Sequence, residues 1–311
     1  MSMILRRIAW AIVVAWFVVT LAFAMIVAIP ADPARAMLGP RATPELVDKV
    51  RDEYCLDRGF FGRYGCWLSR IAHGDLGESY RSKRSVTTII GERAWPTVQL
   101  ALAAIVLQLA VGVPLGVLAA RRRRADRIVT IAGLVAQSAP PFVVGMLALY
   151  AFAFVLGWFP IGGYGEGFLD RLHHLVLPAG TLAAIGIATY ARAVRTELGA
   201  VLGEDYIRTA RAKGVPESRV VWRHALRPAA GPLVTLVGLD LGVLVGGAVV
   251  VESIFAWPGL GREVLQAILE VDLPVIAGVV LVSAIAITAA SLLADLALLA
   301  LDPRLRDRAS S

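Results

Sequence analysis

Few residues of this chain could do chemistry, and they are scattered. A phosphate-cradling loop ends in Lys followed by Ser or Thr, because backbone amides and an ammonium must meet the phosphates together. The lysines are Lys49, Lys83 and Lys213, followed by Val, Arg and Gly, so that loop is missing. His73, His173, His174 and His224 lack the His-Glu-x-x-His spacing that puts two imidazoles on one helix face for zinc, and no Gly-x-Ser-x-Gly occurs. His173 and His174 read as residues at a span boundary rather than metal ligands. Gly162-Gly-Tyr-Gly-Glu-Gly167 follows no strand pattern and reads as a flexible turn. Two carboxylates, Asp240 and Asp295, fall inside apolar stretches. An ionisable group at membrane depth marks a cavity or ion path, or a contact with a partner helix; both readings stand for Asp240, while Asp295 reads as structural. Cys55 and Cys66 form either a disulfide or two unrelated thiols, since one pair identifies no motif. Nothing here indicates catalysis within the chain.

What must position these residues is a membrane. Of 311 residues, 58% are apolar and 18% charged, with a mean hydropathy of +0.70. Charged residues in a soluble chain normally approach about a quarter, so the class is all-α integral membrane protein; disordered, collagenous and disulfide-scaffold classes are excluded. Residues 8–29, 97–120, 128–159, 175–191, 228–251 and 273–301 are free of charge or carry one carboxylate. About 20 apolar residues in a helix cross a bilayer with every backbone polar group satisfied, which predicts six spans, the fourth marginal. Pro140 and Pro141 should kink the third. Runs such as 12–19 do not alternate as a barrel strand would. The first segment is longer than a signal-peptide core, and Pro30-Ala31-Asp32 offers no small-x-small cleavage pattern, so it reads as a retained helix.

Lys and Arg concentrate in 1–7, 121–127, 192–227 and 302–311, whereas the short loops 160–174 and 252–272 hold only Arg171 and Arg262. The positive-inside rule then places both termini in the cytoplasm. The net charge of +7 reflects topology, with no nucleic-acid partner implied; Arg121 to Arg124 reads as an anchor between spans rather than a nuclear or lipid-binding signal. The organisation is 1–29, N-terminus and first span; 30–96, a long extracytoplasmic loop holding both cysteines; 97–301, a five-helix core containing the cytoplasmic segment 192–227; and 302–311, a cytoplasmic tail.

Within that cytoplasmic segment stands Asp205-Tyr-Ile-Arg-Thr-Ala-Arg-Ala-Lys-Gly214. Asp205 suits an N-cap, Tyr206 to Lys213 a helix body, and Gly214 with Pro216 a stop. Pro216 suits the first turn of a second helix over 217–227, before Pro228 opens the fifth span. Ala210, Ala212 and Gly214 allow close approach by another protein, while Tyr206, Arg208, Arg211 and Lys213 offer an anchor and charges. Periodicity alone favours a solvated amphipathic loop.

This segment, followed by His224-Ala-Leu-Arg227, resembles the coupling-helix motif of ABC importer permeases of the dipeptide and oligopeptide family. Leu5-Arg-Arg7, Asp32-Pro33, Gly74-Asp-Leu-Gly77, Pro140-Pro-Phe142, Glu252-Ser-Ile-Phe255, Pro258-Gly-Leu-Gly261 and Asp302-Pro-Arg304 agree in order along the whole chain. Arg208 and Thr209 replace the first two residues of the general Glu-Ala-Ala signature, as is usual in the peptide branch, and Pro228 stands where that branch often has Asn. The resemblance implies a type I ABC importer permease fold in the cell inner or plasma membrane, in contact with lipid. It also implies a sibling permease forming a heterodimer, two cytoplasmic ABC ATPases that bind ATP and Mg, and an extracytoplasmic solute-binding protein; this chain itself would carry no cofactor. Asp205, Tyr206, Arg208, Thr209, Ala210, Arg211, Ala212, Lys213 and Gly214 would dock on an ATPase. Residues 74–79 and 257–262 would face the binding protein, and Glu252 is either a gate or an ordinary helix end. Substrates of such relatives are di- and oligopeptides, glutathione or nickel. Two other classes compete: an ion-coupled carrier built around Asp240, and a membrane scaffold or receptor presenting the long external loop.

Overall fold

The computed structural model describes residues 2–28, 34, 38, 43–53 and 55–301. Asp32-Pro33, Asp302-Pro-Arg304 and the tail 302–311 lie outside the described residues, as do the side chains of Leu5, Arg6, Arg7 and Asp295. The helices are α1 (Ser2–Ala28), α2 (Pro44–Glu53), α3 (Phe60–Ala72), α4 (Val86–Arg121), α5 (Arg123–Ser138) and α6 (Pro141–Ala148), which continues as π-helical Leu149–Val155. Then follow α7 (Gly167–Val201), α8 (Asp205–Ala212), α9 (Glu217–Arg219), a π-helical stretch Val220–Ala225, α10 (Leu226–Ala229), α11 (Gly231–Gly247), α12 (Val249–Ile254), α13 (Leu260–Leu269) and α14 (Leu273–Leu301). Among the described residues the only β pairing is an isolated bridge between Glu78 and Ser85.

By length and apolarity, three helices can cross a membrane: Val86–Arg121, Gly167–Val201 and Leu273–Ala294. The number rises to five if each of two bent pairs is one span, and the first predicted span falls in α1, whose described apolar stretch is Ile12–Leu21. Pro140 and Pro141 break the third segment outright. A residue before proline is pushed out of the α region; Ala139 is extended at φ −84, ψ 127 and Pro140 caps α6 with Pro141 in its first turn. The two halves bend by 99°. The marginal fourth segment is the middle of a 35-residue helix with Pro178 inside it, and α4 begins well before residue 97. Both extensions carry charges that hid them from a hydropathy reading. Pro228 does not open the fifth span: it lies within α10, and the chain bends by 58° between Ala229 and Gly231.

The chain packs as two compact units. One comprises chiefly Val98–Trp257 with the chain from Ile287, the other Met3–Thr97 with Pro258–Ala286. In the first, α4 and α7 meet through Gly112 and Gly116, a small-xxx-small pair of the kind that lets membrane helices approach backbone to backbone. A Cβ on Gly116 would lie 2.6 Å from the Ala191 carbonyl oxygen and Val194 Cβ; one on Gly112 would lie 2.9 Å from the Ile187 oxygen. In the second unit, Val86, Ile89 and Ile90 of α4 pack with Leu260, Ala267, Val275 and Val279. Cys55 and Cys66 are joined by a disulfide that ties the start of α3's segment to its middle, with Cα atoms 6.4 Å apart.

Candidate functional site

The short helix α8 is about 12 Å long from its rise per residue. Its cap differs from the sequence reading: Glu204, at φ −70 and ψ 150, holds the N-cap position and makes no side-chain cap bond, while Asp205 sits in the first turn. There its negative charge complements the helix dipole and it pairs with Arg208 at 3.3 Å. The stop is built by Gly214 at φ +77, a left-handed conformation that glycine adopts without steric cost. Its amide donates to the Arg211 carbonyl at 2.9 Å, and the Val215 amide donates to the Ala210 carbonyl at 3.2 Å. Pro216 stands outside the following helix as its N-cap rather than in its first turn. Arg211 reaches across the turn and donates twice to the Glu217 carboxylate, at 2.9 and 3.1 Å.

Ile207, which sequence reasoning did not single out, holds α8 in place. It is fully buried in a cluster with Tyr190, Val194 and Leu198 of α7, Val117 of α4, and Val220, Val221 and Ala225. Tyr206 points the other way and is 47% exposed. Arg208, Thr209, Arg211, Ala212, Lys213 and Gly214 are also exposed, with Ala210 half-buried. The inner wall of this helix is therefore pinned to the glycine-coupled pair α4–α7, and its outer wall is a ready surface of one aromatic ring, small residues and cations. A signal for the close approach of α4 to α7 was present in Gly112-Val-Pro-Leu-Gly116.

The other expected positions separate. Asp240 is half-buried on α11 and acts electrostatically on the hydroxyl of Tyr190. Tyr190 and Gln108 are themselves buried. Glu252 is fully buried in α12. Gly162 to Gly167 is a packed turn rather than a loose one. Gly163, Gly165 and Gly167 all have positive φ, the Gly163 amide donates to the Phe255 carbonyl at 2.9 Å, and a Cβ on Gly162 would lie 2.7 Å from that oxygen. His174 pairs with Asp170 at 3.4 Å, and His173 Nε2 lies 2.8 Å from the Trp158 carbonyl oxygen. Among the described residues no three His, Cys, Asp or Glu gather as a metal site.

The two segments expected from the sequence to face a binding protein, 74–79 and 257–262, are each tightly built. In Gly74-Asp-Leu-Gly77 both glycines have positive φ, and Asp75 accepts from the Gly77 amide at 2.9 Å and from Arg70 Nε at 2.8 Å. Partial burial would raise the Asp75 pKa, but the Gly77 amide and Arg70 outweigh it and hold the carboxyl below its ordinary value. Asp272, almost fully buried, accepts from Ser79 Oγ and from the amides of Tyr80 and Arg81. In the other segment Trp257 is fully buried with its ring 4.8 Å from that of Tyr164, in an edge-on arrangement. Arg171 lies 4.2 Å from the Tyr164 ring, whose hydroxyl donates to Gln99.

A helical membrane core with broken spans, carrying a short pinned helix beside its basic connections, defines the class: a transport permease. The fold agrees with that of a chain in inward-facing structures of the MetNI methionine ABC transporter. One such structure has a TM-score of 0.57 at 19% identity, covering 69% of this chain and 96% of that one. Residues 112–307 match the family model of the binding-protein-dependent transport system inner membrane component, and residues 1–101 match the model of its N-terminal region. The chain belongs to this family of ABC importer permeases, on its peptide branch. A Brucella abortus (strain 2308) protein named for a peptide transport system permease is 41% identical, over 98% of this chain and 99% of that protein. The glutathione transport system permease protein GsiC of Escherichia coli (strain K12) is 36% identical, over 98% and 99%. Such a permease is a multi-pass protein of the inner membrane, and works with ATPase and binding-protein partners.

Proposed function

We propose that this chain forms, with one sibling permease, the translocation path of an ATP-driven importer of di- or oligopeptides, both termini lying in the cytoplasm. Two ATPases supply the energy, and an extracytoplasmic binding protein delivers the solute. Asp205 to Gly214 is the coupling element. It enters a groove of one ATPase with Tyr206 and the exposed cations outward, and passes motion to α4 and α7 through Ile207. A ligand shifts a two-state equilibrium only by its differential affinity for the two states, and a near-complete switch needs about 5.5 kcal/mol. The observation that carries this reading is the two-sided short helix, buried at Ile207 and exposed at Tyr206. The chain binds no nucleotide itself; ATP and Mg belong to the ATPases.

The peptide substrate is supported by the name of the Brucella relative, and glutathione, a tripeptide, by that of the Escherichia coli one. Both are served by the same path. The test is uptake of a labelled dipeptide and of labelled glutathione by cells carrying the chain or Tyr206→Ala. The reading expects uptake to fall at least tenfold in the variant at an unchanged membrane level of the protein, while ATP hydrolysis continues. Full uptake by Tyr206→Ala removes the coupling role. Solute movement by the purified chain in vesicles without ATPases would replace the proposal with an ion-coupled carrier centred on Asp240.

A further inference from the structure

Within the second unit, α1, α3 and the start of α14 line a cavity that is partly open to solvent. Its chemistry is sorted by origin. The spanning helices contribute only apolar groups, Phe23 and Val27 from α1 and Ala277 and Leu281 from α14, whereas every charge comes from the connecting segment between α1 and α4. Apolar side chains of the spanning helices thus share one cavity with the charges of the connecting segment, a combination that suits an amphiphile.

The charges at the polar end do not all cancel. Arg70 and Asp75 neutralise each other in an ion pair at 2.7 Å. The guanidinium of half-buried Arg63 and the carboxylate of exposed Glu78, both lining the cavity, make no hydrogen bond or ion pair among the described residues. The frame around them is fixed. Phe23 sits with its ring centroid 5.2 Å from Tyr64 and 5.4 Å from Trp67, and Thr20 shares a 2.7 Å hydrogen bond with the Tyr64 hydroxyl, so α3 is held against α1. The disulfide at Cys66 holds α3 from its other side.

We propose that this cavity is a binding site for a zwitterionic phospholipid bearing an ammonium headgroup. The phosphate lies on Arg63, as guanidinium forks suit phosphate, the ammonium lies by Glu78, and an acyl chain runs between Phe23, Trp67 and Leu281. Among the described residues, one cation and one anion without a partner favour this headgroup over an anionic one. The proposal stands apart from the transport reading, since it needs only a membrane-embedded chain.

The test is native mass spectrometry of the full chain with its co-purifying partners, titrated with phosphatidylethanolamine or phosphatidylglycerol in detergent. The wild type should retain phosphatidylethanolamine about tenfold more tightly than Arg63→Gln does, a loss typical of one charge-assisted contact. Arg63→Lys should recover most of the difference, which separates lost charge from lost folding. Glu78→Gln should erase the preference for phosphatidylethanolamine over phosphatidylglycerol, and Val27→Trp, which fills the apolar end, should weaken both. Equal retention by wild type and Arg63→Gln would overturn the proposal. So would equal binding of the two lipids by the wild type, or displacement of bound lipid by triglycine, which would make the cavity a peptide site.

Discussion

Ile207 decides whether the short helix is part of the molecule or merely attached to it. Truncating a buried Ile to Ala typically costs roughly 2–5 kcal/mol, and here the loss falls on the contact between α8 and the Tyr190–Val194–Leu198 face. We therefore expect Ile207→Ala to lower peptide uptake severalfold while the complex still hydrolyses ATP, read by parallel uptake and phosphate-release assays. Asp75, in the second unit, offers another residue-level test. Its carboxyl titrates below the ordinary value because the Gly77 amide and Arg70 favour the charged form. Its contribution is thus fully present above the unfolded pKa and is lost as pH falls through the lower folded pKa. Hydrogen exchange should show residues 74–77 protected at neutral pH and opening only below the usual carboxylate range. In Asp75→Asn the same segment should exchange quickly at every pH. Gly214 was legible as a left-handed stop because glycine precedes Val-Pro. Ile207 was not, since one aliphatic residue in an eight-residue helix sets no period.

At the scale of elements, the proposed coupling requires that α4 and α7 be rigidly joined. Gly116 carries that contact, because a methyl group there would collide with the Ala191 carbonyl and Val194. Overpacking of this kind costs typically about 1–3 kcal/mol. Gly116→Ala should lower the thermal unfolding midpoint of the purified protein, whereas Gly180→Ala, where a Cβ meets nothing within 4 Å, should leave it unchanged or raise it. An equal response at both positions would remove the close-packing account. The break at Pro140–Pro141 was readable because proline acts locally. The lengths of α4 and α7 were not, since hydropathy marks where a helix crosses lipid and is silent on where it ends. Asp272 anchors the loop from Ser79 to Arg81 by accepting its donors, a long-range contact no spacing announces.

For the whole molecule, composition was enough to give a helical membrane protein, and ordered motifs were enough to give its family. What they left open was mechanical: which residues face inward and which await a partner. The proposed function requires that Tyr206 and its neighbours be gripped by an ATPase. The most direct measurement places a photo-crosslinking residue at Tyr206 and, as a control, at Leu239, an exposed position on α11, in the assembled transporter. The account predicts a crosslink from position 206 to a nucleotide-binding subunit, changing in yield when ATP is added, and none to that subunit from position 239. Crosslinks from 206 to lipid or solvent quencher alone, with ATPases present and active, would contradict it.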